Sequence, residues 1–302
     1  MSNLTDLQQQ FTAQIVTMMK TEGLNWTKSW VSLNAPMNGN TGHVYTGINS
    51  MITGFWLQQN KQSDPRFLTP NQIKSLGGHI IKGSKTIPIV FYKTNIKEEA
   101  NGDNKTYRVM KFYRVLHVSQ TGNINLDHLE PLQERPERTE LQNVTNYDLF
   151  VTNCQVPITH NGSQPMYIPA LDQIDLPPIN DFLDTKEADA SDHYYSTLFH
   201  ELTHATGAKH RLDRATLHDY SRSIKTRAFE ELIAEIGSAM IGQELGLQVL
   251  PRQDQAAYLN SWIKALDEDH TLIFKAAAEA SKALKWCNEQ QPAETYDRVE
   301  AA

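Results

Sequence analysis

His200-Glu201-Leu202-Thr203-His204 sets two imidazoles four residues apart, with a carboxylate beside the first. Each residue of an α-helix turns the chain by about 100°, so positions four apart lie one turn above another on the same face. Imidazoles so placed can ligate a zinc ion, or another divalent metal, while the neighbouring carboxylate works on the water the metal activates. The chemistry this supports is hydrolysis, with Glu201 taking a proton from water and returning it to the amine that leaves a cleaved peptide bond. A zinc site that does chemistry takes three protein ligands and keeps one position open, so a third ligand must come from elsewhere.

Ser191 and Asp192 offer a helix N-cap, and the apolar positions 195, 198, 199 and 202 trace one face. The pattern therefore predicts a helix that carries the motif and ends at Gly207. Two kinds of residue compete for the third ligand. His210 completes His-Glu-x-x-His-x-x-Gly-x-x-His, the metzincin signature, but that group also needs a methionine turn. The one methionine beyond the motif, Met240, falls in the helical stretch 229–240. Glu231 lies in that stretch, where Phe229, Leu232, Ile233, Ile236 and Met240 form an apolar stripe and Glu231 and Glu235 project one turn apart. His-Glu-x-x-His followed by a helix with two such acids resembles the thermolysin-type gluzincins. The resemblance implies Glu231 as the ligand and Glu235 as hydrogen-bond partner of a ligand histidine. The competing expectation is a solvated face in which Glu230, Glu231 and Glu235 pair with Lys225 and Arg227. Glu231 is preferred as ligand, with Glu235 and His210 as the alternatives. Tyr220 and Arg222, between the two helices, are candidates to stabilise an oxyanion, although a surface position is the ordinary expectation for both.

A chain of 302 residues with 39% hydrophobic content can build two domains of ordinary size. No apolar run approaches the roughly 20 residues of a membrane span. Residues 1–23 are polar, with Leu4, Leu7, Phe11, Ile15, Met18 and Met19 at helical spacing, which predicts an amphipathic helix and no signal peptide. A cytoplasmic protein is expected. Cys154 and Cys287 have no metal-ligand spacing and read as ordinary buried thiols.

The net charge of −7 conceals a division: residues 1–126 hold 13 Lys and Arg against 6 Asp and Glu, and residues 127–302 hold 15 against 29. The charged, proline-containing stretch 131–140 is the expected linker between a domain at 1–130 and another at 141–302. In the basic half, aromatic and cationic residues interleave. Trp26, Lys28 and Trp30, then Lys82, Lys85 and Lys93, then Arg108, Lys111 and Arg114 are candidates to hold single-stranded DNA, with bases stacking on aromatic faces and cations following phosphates. Aromatics in alternating strands also serve as core, so the half-chain charge carries this expectation more than any single ring. Gly- and Asn-rich loops between helical and strand-like segments make this half α+β. In the second half, residues 148–155 and 166–174 are expected as short strands, and 253–266 and 271–287 as amphipathic helices.

The segments Trp26-Thr27-Lys28-Ser29-Trp30, Thr41-Gly42-His43-Val44-Tyr45-Thr46-Gly47-Ile48-Asn49 and Leu68-Thr69-Pro70-Asn71-Gln72, together with Ile81-Lys82-Gly83-Ser84-Lys85, resemble the single-stranded-DNA-binding domain of the ArdC antirestriction proteins of conjugative plasmids. Residues 194–207, Arg211-Leu212 and Glu230-Glu231-Leu232-Ile233-Ala234-Glu235 are similar to the zincin metallopeptidase domain of the same family. The resemblance spans almost the whole chain. It implies an α+β protein of two domains that acts on or beside incoming single-stranded DNA and shields it from host restriction, with a host protein as a possible protease substrate. The family pattern favours an acidic third ligand, and His210 departs from it. Two rival readings stay open: a DNA-protecting protein with a proteolytically silent metal site, and a cytosolic metallopeptidase without nucleic-acid contact.

Overall fold

A computed structural model describes residues 4–31, 35–98, 104–127, 140–186, 188–247, 250 and 256–292. The chain opens with helix α1 (Leu4–Glu22), whose apolar stripe Phe11, Ile15, Met18 and Met19 is buried, followed by a 3₁₀ turn. Strand β1 (Met37–Asn38), helix α2 (Ile48–Gln59), strand β2 (Arg66–Leu68), helix α3 (Pro70–Ser75) and strand β3 (His79–Ile80) lead into a long hairpin of β4 (Ile87–Glu98) and β5 (Asn104–His117), and then β6 (Thr121–Gly122). The sheet order is β1-β2-β5-β4, with β3 and β6 pairing separately. Thr69-Pro70-Asn71-Gln72 starts α3 for a local reason. The Thr69 hydroxyl accepts from the Gln72 amide at 3.2 Å, the Gln72 side chain accepts from the Thr69 amide at 2.9 Å, and Pro70 takes the first turn, where no amide hydrogen is needed.

His117, at the end of β5, is fully buried between Trp56 and Phe67, with ring centroids 4.9 and 5.1 Å away. Its Nδ1 accepts from the Ser119 amide at 3.1 Å, which leaves Nε2–H to donate to the Asp64 carbonyl at 2.7 Å. A second ring proton would cost the first of these bonds, and burial pushes the His117 pKa below its usual 6.5. A histidine depressed in the folded state contributes stability that is present above 6.5 and is lost as pH falls below it. Thermal melts between pH 7.5 and 5 are therefore expected to show a falling Tm that His117→Gln reduces. An identical pH response in that variant would remove His117 as the cause.

The second half begins with helix α4 (Glu140–Asn153), continues through strands β7 (Ile158–Thr159), β8 (Met166–Ile168) and β9 (Gln173–Asp175), and then runs through helices α5 (Ala190–Thr206), α6 (Ala215–His218), α7 (Ile224–Leu245), α8 (Ala256–Glu268) and α9 (Leu272–Glu289). The expected strand at 148–155 is instead the end of α4. Tyr147, Phe150, Val151 and Cys154 are buried at spacings of three and four, a helical period that an eight-residue window is too short to reveal. The segment 166–174 is a turn between two short strands rather than one strand, and β8 forms an edge of the order β7-β9-β8. The two C-terminal helices stand where the amphipathic pattern places them.

Most of the proposed linker lies outside the described residues, and Glu140 already begins α4. The two halves share a continuous apolar core. Phe11 of α1 meets Phe274 of α9 edge-to-face at 5.9 Å, the Thr12 hydroxyl donates to the His270 carbonyl at 2.8 Å, and Ser50 of α2 donates to Gln243 of α7 at 3.1 Å. Cys154 and Cys287 are both buried, and burial, with Cys154 alongside, pushes the Cys287 thiol well above its usual range. No helix among the described residues is long and apolar enough to cross a membrane.

Candidate metal centre

Helix α5 starts two to three residues earlier than the Ser191 or Asp192 expectation: the Asp189 side chain is the cap, accepting from the Asp192 amide at 2.8 Å. The helix ends at Gly207 as expected, but with an ordinary helical φ of −77°. The glycine is needed there for space, since a Cβ would stand 2.8 Å from the Arg214 guanidinium. Helix α7 crosses beside α5 closely enough that a Cβ on Gly237 would lie 2.4 Å from the Thr203 methyl, so an alanine there would force the two helices apart.

This approach turns α7 into an interior helix, buried continuously from Glu230 to Gln243. The solvated-face expectation for its acids therefore fails: Glu230, Glu231 and Glu235 are all buried. Ligand-type atoms of His200, His204 and Glu231 lie within 4.8 Å of one another. The His200 and His204 Nε2 atoms are 3.2 Å apart, and Glu231 oxygens stand 3.3 Å from the first and 3.6 Å from the second. A tetrahedral zinc with bonds of about 2.0–2.1 Å separates its ligand atoms by about 3.3–3.4 Å, so the two imidazole nitrogens and the Glu231 carboxylate, whose Oε2 faces His200 and whose Oε1 faces His204, are already spaced for a divalent ion.

The outer nitrogens explain how the rings are aimed. His204 Nδ1 is 3.1 Å from Glu230, and His200 Nδ1 is 3.8 Å from Glu235. Carboxylates on the Nδ1 side direct both Nε2 atoms inward. Burial alone would lower His204 and raise the acids. Hydrogen bonds reinforced by opposite charge outweigh this: Glu230 and Glu231 hold the His204 imidazole above its usual range, His204 and Arg214 hold Glu230 down at about 2, and His200 and His204 hold Glu231 lower still. Glu231 is thus an ionised carboxylate, as a cation site needs. Its Oε1, the oxygen 3.6 Å from His204 Nε2, accepts from the Tyr220 hydroxyl.

Glu201, 3% exposed, faces the same cavity, and its Oε2 accepts from the Tyr167 amide of β8 at 2.7 Å. The cavity is about 360 Å³ and is lined by His200, Glu201, His204, Glu231, Tyr220 and Tyr258, with Met166 and Leu217 as apolar wall. Of the two oxyanion candidates, Tyr220 therefore reaches the site. Arg222 is exposed and pairs with Asp219 at 3.4 Å. His210 is not among the clustered groups: its side chain is 61% exposed and pairs with Asp172 at 3.1 Å. Metal content should consequently survive His210→Ala and fall sharply in Glu231→Ala, as elemental analysis of the purified variants would show.

The pattern of apolar and acidic positions did not single out Glu230 as a partner, or Arg214 at all. Glu230 is fully buried, takes the Arg214 guanidinium at 2.7 Å and accepts from the Thr216 hydroxyl. A usable signal was present: between Ala228 and Gly242 every residue other than the acids is apolar or small, which suggests burial on all sides, where acids need partners.

The DNA candidates divide. Trp26 and Trp30 are fully buried with ring centroids 6.3 Å apart, so their faces serve the core and cannot stack on bases. Lys28 is half-buried, while Lys82, Lys85, Lys111 and Arg114 are exposed. Lys93 pairs with Val109 and Thr94 with Arg108 in the register of the β4–β5 hairpin, and the side chains of Lys93 and Arg108 lie outside the described residues.

Residues 5–118 match a family model described as the N-terminal domain of anti-restriction factor ArdC, and residues 145–279 match one described as a zincin-like metallopeptidase. The crystal structure of the metal-free antirestriction ArdC protein from the R388 plasmid superimposes with a TM-score of 0.73 at 33% identity, covering 94% of this chain and 97% of that one. The chain belongs to the ArdC antirestriction family. The Mn(II)-bound structure of the same ArdC protein agrees as well, with a TM-score of 0.74, 33% identity and coverage of 94% and 98%. The curated relatives include the DNA primase TraC of Escherichia coli, 32% identical over 89% of this chain, and the Sinorhizobium fredii protein y4eC, 29% identical over 99% of it. The chain spans 19% of the length of that TraC and 96% of y4eC. The family accounts for the two-part α+β architecture, an N-terminal ArdC unit followed by a zincin-like one.

Proposed function

We propose that this chain binds single-stranded DNA through its N-terminal unit, protects incoming plasmid DNA from host restriction, and hydrolyses a peptide bond at a zinc site in its C-terminal unit. The observation that carries the hydrolytic part is the pairing of a three-ligand cluster with a separate buried carboxylate, Glu201, in one solvent-reached cavity. His200, His204 and Glu231 would hold zinc or another divalent ion, which when bound supplies a Lewis acid and acidifies water. Glu201 accepts the water's proton and passes it to the leaving amine, and the Tyr167 amide fixes the carboxylate for both transfers. Tyr220, whose one hydroxyl proton goes to Glu231 in the structure, would release that bond and donate to the oxyanion as the carbonyl becomes tetrahedral. Met166, Leu217 and Tyr258 exclude water and offer an apolar wall to a substrate side chain.

The DNA-binding part is supported by the basic N-terminal half and by exposed Lys82, Lys85, Lys111 and Arg114. Plasmid transfer into restricting and non-restricting recipients tests the whole. Wild type should raise establishment in the restricting host alone, and Glu201→Gln should lose that advantage. Full protection by Glu201→Gln would assign protection to DNA binding and leave the metal site a structural element. No salt-dependent affinity of the full chain for single-stranded DNA would leave a peptidase without a nucleic-acid role.

A further inference from the structure

Phe91 of β4 and Tyr113 of β5 are 53% and 48% exposed, two large rings in water on a hairpin whose base residues Ile87 and Val115 are buried. The register sets Phe91 opposite Lys111 and Tyr113 opposite Ile89, which makes the two aromatics diagonal neighbours on one side of the ribbon. Their rings meet edge-to-face at 5.7 Å and 87°. In that geometry each ring keeps at least one face clear of the other, and both rings stay about half exposed. Lys111 is exposed on the same side, whereas Arg114, exposed as well, follows Tyr113 in the strand and so projects from the opposite side. Arg114 is steadied by a 3.0 Å bond to the Thr86 hydroxyl. Residues 79–118 hold eight Lys and Arg, and their three acids all fall between positions 98 and 103, away from the aromatic pair in sequence.

Open aromatic faces set among cations match the chemistry of a single strand, whose bases are free to stack and whose phosphates carry the opposite charge. A duplex hides its base faces, and an acidic peptide would leave the ring faces unused. We propose that Phe91 and Tyr113 form a base-stacking step for single-stranded DNA, with Lys111, opposite Phe91 on the same side, taking an adjacent phosphate. The proposal rests on the single-strand reading above and replaces the buried Trp26 and Trp30 as its stacking surface.

Titration of full-length protein against a fluorescent oligothymidylate, with a duplex as comparison, tests it. The Phe91→Leu, Tyr113→Leu double variant keeps apolar bulk but removes both ring faces. It is expected to raise Kd about 5- to 100-fold with an unchanged slope of log Kd against log salt. The Lys111→Gln variant should flatten that slope by about 0.7, for the one phosphate that is no longer neutralised. Phe91→Tyr with Tyr113→Phe, which keeps both rings, should bind like wild type. Wild-type protein cross-linked to a strand carrying 5-iodouracil should be modified at Phe91 or Tyr113, a readout independent of how any variant folds. Single-strand binding by wild type that the double Leu variant retains in full, or cross-links confined to other segments, would overturn the stacking step and leave the single-strand reading standing. Absence of single-strand binding by wild type overturns both.

Discussion

Glu201→Gln should keep one metal per chain and lose peptide hydrolysis by about a hundred- to ten-thousandfold. The carboxylate is not among the three clustered ligand groups, so its removal leaves the two imidazoles and Glu231 in place. Glutamine has the same shape, and its carbonyl oxygen can still accept from the Tyr167 amide, now made by the glutamate at 2.7 Å. It has no basic oxygen to take a proton at neutral pH. The variant therefore separates proton transfer from metal binding and from the position of β8. Cleavage of an unstructured peptide library, followed by mass spectrometry at matched metal content, measures the effect. Wild-type cleavage rates in the variant would place the general base on another residue.

Glu230→Ala has the second largest expected effect, and it acts on folding as well as on metal. Arg214 is 2% exposed at its side chain and Glu230 is 0% exposed, so loss of the acid strands a buried guanidinium. Breaking one half of a buried pair costs about 3–5 kcal/mol, which for a chain of this size lowers Tm by on the order of 10 °C. Arg214 retains its bonds to the Thr203 carbonyl at 2.8 Å and the Thr206 hydroxyl at 3.1 Å, where its charge faces the C-terminal end of α5. His204 Nδ1 loses its carboxylate at the same time, and metal affinity should fall about 10- to 100-fold. Adding Arg214→Met to Glu230→Ala removes the stranded charge. Stability should then recover in part while metal affinity stays low. Full recovery of both would mean that Glu230 serves only to neutralise Arg214.

The residues differ in how far their placement is legible in the sequence. His200 and His204 are readable because the helix itself sets their spacing, whatever packs around it. The two C-terminal helices are readable because each shows an apolar face over more than three turns. Residues 148–155 resemble a strand because the period that marks α4 runs through Tyr147, Phe150, Val151 and Cys154 and begins outside that window. Trp26 and Trp30 resemble a stacking surface because a tryptophan beside a lysine looks the same in sequence whether its ring is outside or inside. Phe91 and Tyr113 carry the same ambiguity and resolve the other way, as the hairpin extends beyond the core that covers Ile87 and Val115.

By itself the amino-acid sequence determined what local geometry can encode: a helix with two imidazoles and an acid, a second helix with acids at 230, 231 and 235, and a basic half followed by an acidic one. Only the tertiary structure set Glu231 beside the two histidines and left His210 exposed against Asp172, brought Tyr220 and not Arg222 to the cavity, and made Glu230 a buried partner of His204 and Arg214. The physical reason is one of range. Backbone periodicity fixes the angle between side chains a few residues apart, whereas the way α7 faces α5 depends on the packing of the whole core, down to the missing Cβ of Gly237 against Thr203.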